Sequence, residues 1–219
     1  MRDKRKDKEY FNRYLNYQHS RIEKKYDKIK ESDEDKKQRI LISLIDYELD
    51  LLKAEFSAGA TKGDIKILLN RAIKIAGEYK NITYEDLLNL LSLSIMVNDK
   101  SEATKLSKLH SSIIEKDRLL KYLSMYINGE KPEWDVNIPL KKEFNGLDEV
   151  IKAKEKENTL CDYLNVWYEN HVGYSWYNSH LGNEDTYCGY WSFESAAIAN
   201  ILKLNENKLK NSEYYPSFD

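Results

Sequence analysis

Turn-forming residues are scarce in this sequence, and that scarcity limits what the chain can fold into. Only 8 glycines and 3 prolines occur among the 219 residues. All-β folds use glycine and proline at frequent turns, whereas long helices need few of either residue. The hydrophobic fraction of 41% lies a little below the globular average but is too high for a disordered chain. The composition therefore favours a folded protein built from long helices.

Apolar residues recur at helical spacing along most of the chain. The clearest pattern covers residues 65–76, and leucines within residues 87–93 are apolar on too many sides for a surface helix. Ser32 is the expected N-cap of the second helix, and Thr83 with Asp86 is the expected capping box of the fourth. We predict an all-α fold, a multi-helix bundle of roughly nine to ten helices. The predicted helices lie near residues 6–30, 35–57, 65–76, from 83 onward, 101–110, 116–128, 147–156, 159–171 and within 188–202.

A change in composition near residue 129 suggests a domain boundary. Residues 129–145 hold two of the three prolines. Beyond them the chain becomes aromatic, with eight Tyr, three Trp and two Phe in residues 159–219. We therefore predict an N-terminal helical domain over residues 1–128. We expect it to pack, as one compact unit, on an aromatic-rich C-terminal helical domain over residues 129–219.

The sequence shows no sign of a membrane protein, a secreted protein or a metalloprotein. No apolar run approaches the ~18–20 residues that a membrane helix needs, and no apolar run follows the basic N-terminus as in a signal peptide. Two cysteines, Cys161 and Cys188, do not make a disulfide framework, so we expect reduced thiols in the cytoplasm. Zinc sites usually show paired Cys or His ligands at short spacing, and none occurs here. We expect no metal and no cofactor.

Two other functions stay open on the residues alone. Cys188, His180 and Glu184 lie close in sequence, so a small hydrolase could use them, although a catalytic thiol needs an activating environment. The N-terminus interleaves basic residues with tyrosines, which weakly suggests a nucleic-acid-binding helical module. However, acidic residues are interspersed there, and a phosphate-binding face needs concentrated positive charge. Glu194 stands in an apolar segment, and we expect it to make a structural hydrogen bond.

The last third of the chain carries an aromatic motif of unusual spacing. Its residues are Trp176-Tyr177-x-x-His180, then Gly189-Tyr190-Trp191-x-Phe193-Glu194, then Tyr214-Tyr215-Pro216. This motif resembles the C-terminal signature of the PoNi family, the immunity proteins to polymorphic PoNe DNase toxins. Residues 2–6 and the Tyr10-Phe11-x-x-Tyr14 segment also resemble the start of that family's N-terminal domain. The resemblance extends over nearly the whole chain.

The resemblance implies an all-α protein that is not an enzyme and is encoded beside a toxin. The toxin's nuclease domain would belong to the PD-(D/E)xK-like DNases. The partner would then be this cognate nuclease domain, with no direct contact to nucleic acid or membrane, and no catalytic residue is carried over. The signature residues are expected to determine the fold, because large aromatic side chains dominate packing.

Charge is distributed unevenly, which suggests where a basic partner would dock. Residues 1–39 carry 14 basic and 9 acidic side chains, for a net charge of +5, whereas residues 159–219 carry 3 and 8, for −5. An acidic region steers a basic partner toward itself, and loops such as residues 182–185 commonly carry binding groups. The plain alternative is that these charges are merely solvated. The candidate toxin contacts are Asp162, Glu169, Tyr174, Glu184, Asp185 and Tyr187.

Overall fold

The structure, a computed structural model, describes residues 1–79, 81–182 and 184–218. These residues form eleven α-helices and two short 3₁₀ helices, with no β-strand among them. Nine of the eleven helices span seven residues or more, so the all-α prediction is confirmed. The helices are α1 (Lys8–Lys30), α2 (Glu34–Ala58), α3 (Lys62–Glu78), α4 (Tyr84–Met96), α5 (Ser101–Leu109), α6 (Ser111–Ile114), α7 (Arg118–Ile127), α8 (Gly146–Lys152), α9 (Lys156–Asn170), α10 (Phe193–Leu202) and α11 (Glu206–Leu209).

Side-chain caps explain where several helices begin. The predicted pairing of Thr83 with Asp86 at the start of α4 is present as a side-chain cap: Asp86 N donates to Thr83 Oγ1 over 3.1 Å, and Thr83 Oγ1 donates to Asp86 Oδ2 over 2.7 Å. The predicted cap of α2 is wrong. Asp33 is the N-cap and accepts from Lys36 N at 2.8 Å, whereas the Ser32 hydroxyl donates back to Lys28 O at 2.6 Å. Both side chains can accept from a backbone amide, and the turn aims the Asp33 carboxylate at the helix.

The end of α2 depends on a glycine. Gly59 adopts a left-handed backbone conformation with φ of 107°, and its amide donates to Glu55 O and Phe56 O. Residues other than glycine rarely adopt this conformation, so it stops the helix there. A Cβ atom at Gly59 would also lie 3.0 Å from the backbone nitrogen of Met1. Both the conformation and the close approach of the N-terminal segment favour glycine at this position.

The first compact unit combines residues 1–86 with residues 175–189. Within it, α1 packs on α2 and α2 packs on α3. Apolar side chains at three- and four-residue spacing on these helices meet in a shared core, as the amphipathic pattern predicts. The largest fully buried side chains of this core include Phe11, Tyr14, Leu44, Ile45, Leu49, Leu52, Phe56, Ile65 and Tyr187.

The second compact unit combines residues 87–174 with residues 190–219. Here α8 and α11 pack on α9, and α10 packs on α7. The leucines of α4 within residues 87–93 are at most 5% exposed, so this part of α4 is central to its unit, as predicted. α10 is buried along most of its length because alanines let neighbouring helices approach closely. The core includes Leu87, Leu90, Leu93, Leu119, Leu120, Leu123, Leu147, Leu160, Phe193 and Ile198.

Both units draw on residues from more than one part of the chain. The domains over residues 1–128 and 129–219 stay a prediction. None of the helices that the structure describes is long and apolar enough to cross a membrane.

Candidate protein interface

The signature residue Glu194 lies at the centre of a buried hydrogen-bond network in the second unit. It is only 5% exposed and stands in the first turn of α10. Its Oε1 atom accepts from the Tyr163 hydroxyl at 2.8 Å, from Trp167 Nε1 at 2.7 Å and from the Ser192 hydroxyl at 2.6 Å. Tyr163 and Trp167 are four residues apart, so both side chains leave α9 on one face. This arrangement supports a structural role for Glu194.

Aromatic signature residues pack around this network. Tyr190 and Phe193 are 2% and 1% exposed, whereas Trp191 is half-buried. The Tyr214 ring stacks on the Tyr168 ring at 5.6 Å, and the Ser192 amide donates to Tyr214 O at 2.9 Å.

The end of the chain continues the same packing in the second unit. Tyr215 is 3% exposed, and its hydroxyl donates to Glu206 Oε1 at 3.0 Å. Pro216 is buried as well. The tail therefore contributes to the core, and the rings of Tyr215 and Pro216 offer little surface to a partner.

Tyr187, one of the predicted contacts, is fully buried in the first unit. Tyr187 N donates to the Tyr10 hydroxyl at 2.8 Å, and the Tyr10 hydroxyl donates to Tyr187 O at 2.9 Å. The Tyr187 hydroxyl donates to the Asp3 carboxylate, whose side chain is inaccessible to solvent. Burial and the Asp3 charge raise the pKa of Tyr187 well above its ordinary value. The expectation that Tyr187 is a partly exposed anchor is wrong, because residues far away in sequence enclose it.

The other signature residues of residues 175–189 shape a loop on the first unit. Trp176 Nε1 donates to Glu85 Oε1 at 3.1 Å. The His180 ring meets the Tyr187 ring edge-on, with centroids 6.1 Å apart. Gly189 has a φ of 120°, which favours glycine at the point where the segment leaves this unit. Trp176, Tyr177 and His180 are all half-buried, so they support the loop and also present part of their surface.

The acidic candidates divide between the two units. Glu184 is exposed and Asp185 half-buried in the first unit, and Arg13 Nη2 lies 3.7 Å from Asp185 Oδ1. Asn183, which lies in the predicted loop, is outside the described residues. Asp162 and Glu169 are both exposed on α9 of the second unit. The acidic pattern of residues 159–219 therefore includes residues of both units.

Tyr174, the remaining candidate, is half-buried in the second unit. Its hydroxyl donates to Glu143 Oε1 at 2.6 Å, and its ring packs edge-on against His171 with centroids 4.9 Å apart. Burial raises the pKa of Glu143, but the Tyr174 hydrogen bond and other favourable contacts outweigh it and hold this pKa below its ordinary value. Tyr174 thus fixes the turn that follows α9 while leaving part of its ring exposed.

The environment of Cys188 opposes the alternative of a catalytic thiol. Cys188 is 8% exposed, and its Sγ lies 3.7 Å from Asp50 Oδ1. Burial, followed by the Asp50 charge, raises the pKa of the Cys188 thiol far above its ordinary value, although Lys53 opposes that shift. A nucleophilic cysteine needs a lowered pKa. Among the described residues, no group of three or more His, Cys, Asp or Glu side chains is placed to hold a metal ion.

We expect Cys188 to react slowly with a thiol reagent in the folded protein. In a Cys161→Ser variant, which leaves Cys188 as the single thiol, maleimide labelling at pH 8 should become many times faster after unfolding in urea, because burial and the raised pKa both keep the thiol from reacting. The Cys188→Ser variant is the matched control, because it leaves half-buried Cys161 as the single thiol. Rapid labelling of native Cys188 would show that the thiol is accessible and would revive the enzymatic alternative.

Several basic residues near the N-terminus serve the fold of the first unit. Arg2 Nη1 donates to Phe56 O and Ala60 O, both at 2.9 Å, and its guanidinium lies 4.5 Å from the centre of the Phe56 ring. The Arg21 guanidinium lies 3.6 Å from the centre of the Tyr47 ring. Charges engaged in this way are less available to a phosphate backbone, which weakens the nucleic-acid-binding alternative.

Asp3 and Glu48 are buried acidic residues that the sequence did not lead us to expect. The side chain of Glu48 has no exposed surface. It accepts a hydrogen bond from Arg71 Nε at 2.7 Å and one from the Tyr26 hydroxyl at 3.2 Å. Burial raises the pKa of Glu48, and both hydrogen bonds oppose that shift. A signal was available for Glu48, because it falls within the apolar stripe of α2 between Leu44 and Leu52. No local pattern marks Asp3.

Comparison with known protein families accounts for both halves of the chain. Residues 2–108 match the family described as PoNe immunity protein (PoNi), N-terminal, and residues 115–217 match PoNe immunity proteins (PoNi), C-terminal. No curated protein and no solved structure matched the chain. The two family matches cover nearly all of the chain and include the buried network around Glu194 and the loop over residues 175–189. The chain therefore belongs to the PoNi family of immunity proteins to PoNe toxins.

Proposed function

We propose that this protein binds the nuclease domain of a cognate secreted PoNe toxin in the cytoplasm of the producing cell and neutralises it without catalysing a reaction. The observation that carries the proposal is the match of the N-terminal and C-terminal PoNi families to consecutive parts of one chain. The buried, protonated character of Cys188 supports a binding function over a thiol-dependent one.

Electrostatics supports a nuclease as the partner. A DNase presents positive charge to the phosphate backbone of its substrate. An inhibitor that covers such a surface benefits from acidic groups, which accelerate association and match the charge of the partner. Asp162 and Glu169 on α9, and Glu184 on the loop of the first unit, are exposed carboxylates of this kind.

Co-expression tests the proposal directly. The reading frame beside this gene should encode a large toxin with a C-terminal nuclease domain. Expression of that domain alone should arrest growth of a susceptible strain and degrade its DNA, and co-expression of this protein should restore growth. A nuclease domain that cannot cleave DNA is the control for toxicity. Growth arrest that persists with abundant, folded immunity protein would refute the proposal.

Reversing the loop charges should slow association with the toxin. In the Glu184→Lys/Asp185→Lys variant we expect an association rate several-fold lower at low salt and a smaller difference at 0.5 M salt, because screening weakens long-range attraction. Stability should change by less than ~0.5 kcal/mol, since both side chains reach solvent and the Arg13–Asp185 pair is exposed. Biolayer interferometry at two salt concentrations measures the rates. Equal association rates would mean that the loop carboxylates do not contribute to association with the toxin.

A further inference from the structure

Helix α9 has one face that belongs to the core and one that faces solvent. Its inner face carries four buried side chains, Leu160, Tyr163, Leu164 and Trp167. Its outer face follows the complementary spacing. Exposed Asp162, Val166 and Glu169 recur at steps of four and three residues, and exposed Val172 lies in the turn just after the helix.

Two apolar side chains on this outer face are solvated. Val166 is 49% exposed and Val172 is 66% exposed. Single exposed apolar residues are ordinary, but Val166 lies between two carboxylates on the helix, and Val172 follows Glu169 by three residues. An apolar centre with a polar rim is the usual organisation of a protein interface.

The negative charge of this face is not neutralised locally. The chain contains 35 Lys and Arg residues, yet none lies between Lys156 and Lys203. Within the part of the chain that the structure describes, the side-chain carboxylates of Asp162 and Glu169 form no ion pair and no hydrogen bond, although both side chains are exposed. Lys208 contacts Asn158 in the first turn of α9, before Asp162. On the first unit, by contrast, Asp185 already faces Arg13.

The backbone beneath this face is held in place. The bonds from Tyr163 and Trp167 to Glu194 anchor the helix from its inner side. Two contacts hold the turn that carries Val172. His171 Nδ1 lies 2.6 Å from Trp167 O, and the Tyr174 hydroxyl donates to Glu143. A surface that is already ordered loses little conformational freedom on binding, which favours affinity.

We propose that the outer face of α9, formed by Asp162, Val166, Glu169 and Val172, is the surface that docks the nuclease domain of the toxin. The inference rests on the proposed function and deepens it, because it assigns the contact surface. The occupant is a basic protein surface with an apolar depression, since the face offers two exposed valines beside two carboxylates without an ion-pair partner among the described residues. Ile67 on α3 is also exposed, but its helix carries four basic residues and so does not match a basic partner: Lys62, Lys66, Arg71 and Lys74.

Binding of purified wild-type protein to a cleavage-deficient nuclease domain, encoded beside this gene, tests the assignment. The Val166→Glu/Val172→Glu variant should bind about 100-fold more weakly, which is the loss expected when a hot spot is destroyed. The matched control is Ile42→Glu/Ile67→Glu, which places the same charges on exposed apolar positions of α2 and α3 and should bind like the wild type. Circular dichroism should show that all variants are folded.

A charge-reversal pair provides a second test that leaves the valines intact. Asp162→Lys/Glu169→Lys should lower the association rate about tenfold at low salt, whereas Glu130→Lys/Glu133→Lys, an exposed pair elsewhere in the second unit, should change it little. If the wild type binds and both α9 variants bind equally well, the assignment to α9 is overturned and the proposed function stands. If the folded wild type fails to bind or to restore growth, the proposed function itself is overturned.

Discussion

Replacing Glu194 by alanine should lower the free energy of unfolding by about 3–5 kcal/mol. The substitution leaves the Tyr163 hydroxyl, Trp167 Nε1 and the Ser192 hydroxyl without their shared acceptor in a site that water does not reach. Each unsatisfied buried polar group costs about 1–3 kcal/mol, and the removed side chain also leaves a cavity. Urea unfolding followed by far-ultraviolet circular dichroism measures the change.

The Glu194→Gln variant separates the loss of the acceptor from the loss of the charge. All three donors reach Oε1, so glutamine can keep its amide oxygen there and place the nitrogen at the Oε2 position. We expect a loss of about 1–2 kcal/mol, because hydrogen bonds to a neutral acceptor are weaker than those to a carboxylate. An alanine variant within 1 kcal/mol of the wild type would contradict the structural role of Glu194.

Replacing Asp3 by alanine should lower the free energy of unfolding by about 2–4 kcal/mol. The Asp3 side chain is inaccessible to solvent, receives the Tyr187 hydroxyl and lies 3.3 Å from Arg5 Nη1. Its Oδ1 also accepts from Arg5 N at 2.7 Å. Removing the carboxylate leaves a buried hydroxyl without an acceptor and a partly buried cation without its counter-charge, and both are costly.

A double-mutant cycle with Tyr187→Phe identifies the bond responsible. Tyr187→Phe alone removes the donor but keeps the Asp3–Arg5 pair, and we expect a loss of about 1–2 kcal/mol. If the Tyr187–Asp3 bond stabilises the fold, the loss in the double variant should be smaller than the sum of the two single losses by at least about 1 kcal/mol. Equilibrium urea unfolding of the wild type, both single variants and the double variant supplies the four values. Additivity within ~0.3 kcal/mol would mean that the two residues act independently.

Helical structure was predictable because its signals are local. The periodicity of residues 65–76 and the cap formed by Thr83 and Asp86 both depend on neighbours that are at most one turn apart, so the pattern in the sequence and the contact in the structure coincide. The break between α1 and α2 was also predictable. The choice between Ser32 and Asp33 as its cap was not, since either residue type can accept from the helix and only the geometry of the turn selects one.

The candidate interface was predictable only in part. Asp162, Glu169 and Glu184 are exposed, as expected of charged residues, and their hydrophilicity is a property of each side chain alone. Tyr187 was placed wrongly because tyrosine is amphipathic and its location depends on what surrounds it. Its enclosing partners, Tyr10 and Asp3, lie 177 and 184 residues earlier in the chain.

The sequence by itself determined the all-α class, most helix boundaries and, through the aromatic motif around Glu194, membership of the immunity-protein family. These properties depend on local periodicity and on a linear pattern of residue types. Only the tertiary structure decided that Asp3 is a buried carboxylate and that the acidic candidates divide between the two units. The burial of Asp3 depends on Tyr187, which lies 184 residues later in the chain, and no short stretch of sequence contains both residues.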